Sequence, residues 1–169
     1  MTPEEIRLLF VYDAWANARD LEACAALTQE QFTRALGSSF TSVRDTLAHI
    51  LGAQWIWNER FQGRATTSLP KTDQYPDIAS LRGAWPPVER DLHAFLGGLS
   101  AADIGSSFEY RDSKGNSHRN VLGETLQHLA NHGTYHRGQV TTLLRQLGAK
   151  PVSTDMIAFY RERATHAAS

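Results

Sequence analysis

Apolar residues recur at helical spacing in four long stretches of the chain, and the segments between them are polar or rich in turn residues. The first stretch carries Ile6, Leu9, Phe10, Trp15, Leu21 and Cys24. It follows Thr2-Pro3-Glu4-Glu5, a capping threonine, a proline at the first helical position and two acids against the positive helix end. A helix from Pro3 to about Ala26 is predicted. The second stretch opens at Thr41 or Ser42, where Ser42-x-x-Asp45 resembles a capping box. Val43, Leu47, Ile50, Leu51, Gln54, Trp57 and Phe61 then form a stripe that ends near Gly63.

Arg64–Pro76 is rich in Thr, Ser, Pro and Lys and reads as a loop. A third helix is predicted from about Asp77 to Leu99, with Leu81, Trp85, Val88, Leu92 and Phe95 as its apolar residues. Pro86-Pro87 conflicts with an unbroken helix and predicts a kink or a restart. In residues 106–119, Phe108 and Tyr110 alternate with polar positions around Asp112-Ser113-Lys114-Gly115-Asn116, which predicts a short hairpin. The fourth long helix runs from about Asn120 to Leu147 and stops at Gly148, with Pro151 beyond. A short helix near Thr154–Arg163 completes the chain. No repeat or second domain is apparent, and four amphipathic segments in 169 residues predict one all-α domain over residues 1–169, a four-helix bundle with a short hairpin before its last long helix.

Composition narrows the function. Net charge is close to zero, which offers no surface for nucleic acid or an anionic membrane. Cys24 is the only cysteine, so neither an internal disulfide nor a cysteine-held zinc is expected. The Met1 start leads into a helix entry and not a signal sequence, and no apolar run approaches the ~20 residues of a membrane span. A soluble cytoplasmic protein is expected.

Histidine is the residue that stands out. Three of the seven, His128, His132 and His136, fall in the fourth helix at a spacing of four. At ~100° per residue, with Val121 at zero, the leucines and Val140 of this helix fill an arc from about 40° to 140°. His136 falls near 60° and His132 near 20°, so both point into the core stripe or beside it, while His128 falls at its margin near −20°. A lone core histidine is usually satisfied by a hydrogen bond. Two imidazoles one turn apart can instead share one ion at ~2.0–2.1 Å, and without it they would need separate partners. Glycine follows His132 where a zincin carries its catalytic glutamate, which disfavours that protease class. On the second helix His49 lies about 120° from Val43, and periodicity alone leaves its direction open.

Four strings carry a family resemblance: Trp15-Ala16-Asn17; Ser42-Val43-Arg44-Asp45-Thr46-Leu47-Ala48-His49-Ile50; the run from Leu126 through His128, His132 and His136-Arg137-Gly138-Gln139; and Leu144–Pro151. Over nearly its whole length the chain resembles the DinB/YfiT-like metalloenzyme family. The resemblance implies an up-down-down-up four-helix bundle, a homodimer, and a metal held by His49, His132 and His136. It also implies chemistry of the kind some similar proteins perform, thiol-dependent S-transfer or isomerisation.

Three imidazoles leave an open position on a metal, where a water or a substrate thiolate would sit. Zinc or nickel is the leading expectation and iron fits too, since imidazole suits all three. The expected partner is a small-molecule substrate, with a low-molecular-weight thiol as one co-substrate class. His128 is either a proton shuttle beside the site or a surface histidine. Asp45 either orients His49 or caps its helix. Glu124 and Gln139 are polar groups near the site or solvated surface, Arg137 reads as a salt-bridge or inter-helix residue outside the core arc, and Trp57 and Tyr160 either wall a pocket or pack in the core. A metal-dependent transferase or hydrolase is the first functional reading. The other is a non-catalytic stress-related binding protein whose metal is structural or incidental.

Overall fold

The computed structural model describes residues 1–64 and 68–167; residues 65–67 of the expected loop lie outside it. In chain order the elements are α1 (Pro3–Cys24), α2 (Gln29–Thr33), α3 (Val43–Phe61), α4 (Ile78–Gly97), α5 (Ala101–Gly105), β1 (Ser107–Arg111), β2 (Ser117–Val121), α6 (Leu122–Gln146) and α7 (Met156–Ala167), with a single 3-10 turn at Thr72–Gln74. The four long helices α1, α3, α4 and α6 form a ring: α6 packs against α1 and α3, and α4 packs against the same two from the other side.

Two core clusters give the helix directions. Leu21 and Cys24 of α1, Val43 to Leu51 of α3, Leu81 and Trp85 of α4, and Val140 to Leu147 at the end of α6 pack at one end of the bundle. Ile6 and Phe10, Ala53, Leu92 and Leu96, and Leu122 to Ala130 pack at the other. Hence α1 and α6 run one way and α3 and α4 the other. Each fully buried large apolar side chain contributes roughly 1.5–3 kcal/mol.

The helix starts follow the expected chemistry. The Thr2 hydroxyl accepts from the Glu5 amide while the Glu5 carboxylate accepts from the Thr2 amide, which satisfies two amides that the first turn leaves free. At α3 the Ser42 hydroxyl accepts from the Asp45 amide. The hairpin forms with Phe108 opposite Asn120 and Tyr110 opposite His118, closed by Gly115 at φ +84°, a conformation that needs glycine.

Three features differ from the sequence expectation. Helix α4 passes through Pro86 and Pro87 without a break. Both prolines lie on the exposed side with Arg82 and Gly83, so water can reach the two carbonyls that lose their amide partners. Asn120 and Val121 belong to β2, which takes two residues from the expected start of α6. Two short capped helices, α2 and α5, occupy connections for which no element was expected.

A buried ion pair ties α1 to α6. Arg137, 1% exposed, donates from Nη1 to Asp13 Oδ1 at 2.6 Å and to Asn17 Oδ1 at 2.8 Å. Its expected position outside the core arc is thus corrected, although the salt-bridge role holds. At about 160° it adjoins Leu126 and Leu144 at about 140°, and α1 covers that edge. The pair passes directly over Gly133, where a Cβ would lie 2.8 Å from Asp13 Oδ1 and 2.9 Å from Arg137 Nη1. Gly133→Ala is therefore expected to lower stability by about 3 kcal/mol, read as a lowered urea midpoint. An unchanged midpoint would show that the pair yields without cost.

Candidate metal centre

The centre forms where α3 and α6 pack. His49 stands two turns into α3, and His132 and His136 stand one turn apart on the facing side of α6. Their Nε2 atoms converge: His49 Nε2 lies 3.0 Å from His132 Nε2, and His136 Nε2 lies 3.1 Å from it. The three donor atoms fall within 4.8 Å of one another. Two nitrogens bound at ~2.0–2.1 Å to one tetrahedral ion would stand about 3.3 Å apart, close to these separations. The packing of α3 thus aims His49 inward, which its own periodicity left open.

The hydrogen bonds around the rings expose lone pairs. Gln139 Oε1 can only accept, so at 2.8 Å His136 Nδ1 must donate to it, and His136 Nε2 carries the lone pair. The same amide reaches on to Ser39, donating from Nε2 to its Oγ at 3.2 Å. His132 Nε2 meets two nitrogens, and one hydrogen there can serve only one of them. His132 Nδ1 is buried with no hydrogen-bond partner among the described residues. A shared cation on the Nε2 side resolves both contacts, so the donor set fits a divalent metal.

Burial keeps two of the rings neutral. Desolvation, with a smaller contribution from His136, takes His49 down to about 4. Desolvation, then His136, His49 and His128, takes His132 down to about 3. Neutral imidazoles at physiological pH are what a metal requires. Phe40, delivered by the loop before α3, stacks on His49 with centroids 4.1 Å apart and meets His136 edge-on at 5.4 Å.

The remaining candidates separate. His128 is exposed, as its margin position suggested, with its ring 5.9 Å from His132 and 5.5 Å from Trp57. Gln139 holds His136, whereas Glu124 is exposed. Asp45 stands in the first turn of α3, where Ser42 is the cap; its amide donates to the Ser42 hydroxyl and its carboxylate accepts from Thr41 and Arg44 rather than from His49. Trp57 is half-buried beside His128, but Tyr160 is 42% exposed on α7 and walls neither core nor site. A separate cavity of about 750 Å³ opens on the opposite side of α6, lined by Leu9, Tyr12, Thr134 and Arg145 among others, and includes none of the three histidines.

A buried polar network beside the centre escaped the sequence reading. Gln54 donates to Asp13 Oδ2 at 2.6 Å and accepts from Trp85 Nε1 at 2.8 Å, and Asn17 lies 3.5 Å from Glu89. Asp13, Asn17 and Asp20 lie on the same stripe of α1 as Ile6, Phe10 and Cys24. Polar residues at core spacing were the available signal. Among the described residues neither Asp20 oxygen has a hydrogen-bond partner.

Comparison with known proteins agrees with this architecture. The DinB family model matches residues 1–166. The chain belongs to the DinB family. Protein DinB of Bacillus subtilis (strain 168) is 25% identical over 154 residues, covering 87% of this chain and 88% of that one. A crystal structure of a DinB-like protein from Bacillus cereus ATCC 10987 superposes with a TM-score of 0.68, covering 90% of this chain and 97% of the other at 18% identity. At that identity the likeness speaks for the DinB fold alone, a largely helical one.

Burial raises the Asp20 carboxyl from its ordinary 3.8 to about 7, against the opposing pull of Arg137. A raised carboxyl costs nothing while protonated in both states, so stability falls as pH rises from about 4 through about 7. Asp20→Asn is expected to unfold at a higher temperature than the parent at about pH 8, by an equivalent of roughly 1–2 kcal/mol, with the gap closing below about pH 5. Equal destabilisation at both pH values would mean that the carboxylate is charged and held by Arg137.

Proposed function

We propose that this DinB-family chain binds one divalent metal ion through His49, His132 and His136 and acts as a metal-dependent enzyme on a small molecule, by thiol S-transfer or hydrolysis. The observation that carries the reading is the convergence of three Nε2 atoms at one point between two helices. Zinc or nickel suits an all-imidazole set, and iron is compatible with it. The same reading takes a low-molecular-weight thiol as one co-substrate class and a homodimer as the assembly.

The ion would supply Lewis acidity and a lowered pKa to a thiol or water beside it. The protein's own groups do the rest. Gln139 holds the His136 ring in the tautomer that turns its lone pair inward. Phe40 covers one side of the rings and limits water there. His128, exposed and next to His132, is placed to pass a proton between the centre and solvent.

Elemental analysis of purified protein is expected to find about one divalent ion per chain. His132→Ala is expected to lose both the ion and turnover, and stoichiometric metal in that variant would remove the site assignment. Gln139→Ala is expected to keep the stoichiometry while weakening metal affinity about 10- to 100-fold in a chelator competition. Unchanged affinity would assign Gln139 no part in holding the ligand.

A further inference from the structure

We infer that Arg60 binds the anionic end, a carboxylate, of the small molecule whose other end reaches the three-histidine centre; this rests on the metal-dependent reading above and names the substrate class. Arg60 follows His49 by eleven residues, three turns along α3, which places it about 20° around the helix from His49. The two residues therefore share a face. The axial offset is ~16 Å, but the Arg60 side chain folds back toward the centre, with its guanidinium carbon 4.8 Å from the ring centre of Trp57. Because α6 runs against α3, His128 stands beside Trp57 at 5.5 Å and leads on to His132 at 5.9 Å. Tyr110 of the hairpin completes the wall, 5.0 Å from Trp57 and 5.4 Å from the guanidinium.

The bland account is an arginine stacked on two rings for packing, worth roughly 0.5–2 kcal/mol. Its lack of partners argues for more. The other half-buried arginines, Arg7, Arg19 and Arg44, each meet a carboxylate. Among the described residues Arg60 meets none, and its Nε is buried without an acceptor. Asp112 is the acidic group whose charge reaches it, but that carboxylate already accepts from Lys114 N, Asn116 N and Asn116 Nδ2 and lies 2.9 Å from His118 Nε2. Burial accordingly lowers the Arg60 pKa from its usual value. A half-buried guanidinium stacked against two rings, its Nε without a partner among the described residues, is shaped to take a carboxylate. With the side chain folded back toward Trp57, a ligand joining the guanidinium to the centre has to span on the order of 10 Å, which calls for an extended chain of several atoms.

A ladder of thiol acids tests this on cobalt(II)-loaded protein, where the visible spectrum reports a thiolate at the ion. Mercaptopropionate, mercaptooctanoate and mercaptoundecanoate are compared with the mercaptoalcohols of matching length. The acids are expected to bind about tenfold more tightly than the alcohols only at the longer lengths. Arg60→Gln is expected to erase that gain while leaving alcohol binding unchanged, and Arg60→Lys to keep part of it. Equal affinity of acid and alcohol at every length, or a gain that survives Arg60→Gln, would overturn the assignment. If no thiol perturbs the cobalt spectrum, the open metal position itself is refuted, and the Arg60 role with it.

Discussion

A guanidinium enclosed in the bundle sets the relation of α6 to α1. Arg137 is bound to Asp13 and Asn17 in a place that water does not reach. Such a pair is weak support for stability as such, because two ions must be desolvated to make it. Its force lies in what it forbids. Sliding α6 by one turn would strand a buried carboxylate and a buried cation, at a cost of several kcal/mol. Gly133 makes the arrangement possible by leaving open the space the pair crosses. The residue before Arg137 is His136, so the lock that fixes α6 also fixes the depth of the histidines it presents to α3.

That geometry turns three ordinary side chains into an unusual local environment. Each imidazole is partly or wholly withdrawn from water, and their Nε2 atoms face one another. At His49 and His132 burial first, and then the neighbouring imidazoles, oppose protonation. Without an ion the cluster is poorly satisfied, because His132 Nε2 meets two nitrogens and can serve only one of them. The aromatic residues run from Phe40 at the rings to Trp57 and Tyr110 at the far end, and Arg60 contributes the cation there. On the proposed reading, the polar centre at one end and the cation at the other would hold the two ends of an elongated molecule.

Helical periodicity was enough for part of this. A spacing of four puts His132 and His136 on one face whatever the rest of the chain does, and their angle beside the leucine arc sends them inward. His49 could not be placed that way, because its direction depends on which of two faces of α3 meets α6. That is a fact of packing, and family resemblance supplied it. Asp13 and Asp20 drew no reading and Asn17 entered only through the family string, although their spacing matches the buried apolar residues of α1. Arg137 was misplaced by its position at the edge of the arc, where a neighbouring helix decides burial. Pro86-Pro87 misled because the rule against internal prolines weakens when the freed carbonyls face water.

The central claim is that three imidazoles share one ion, and anomalous scattering from crystals of metal-loaded protein at the metal's absorption edge tests it most directly. The account predicts one peak per chain, about 2.0–2.1 Å from Nε2 of each of His49, His132 and His136, with a position left free of protein ligands. A peak elsewhere would contradict it, as would no peak and three rings bonded only to one another.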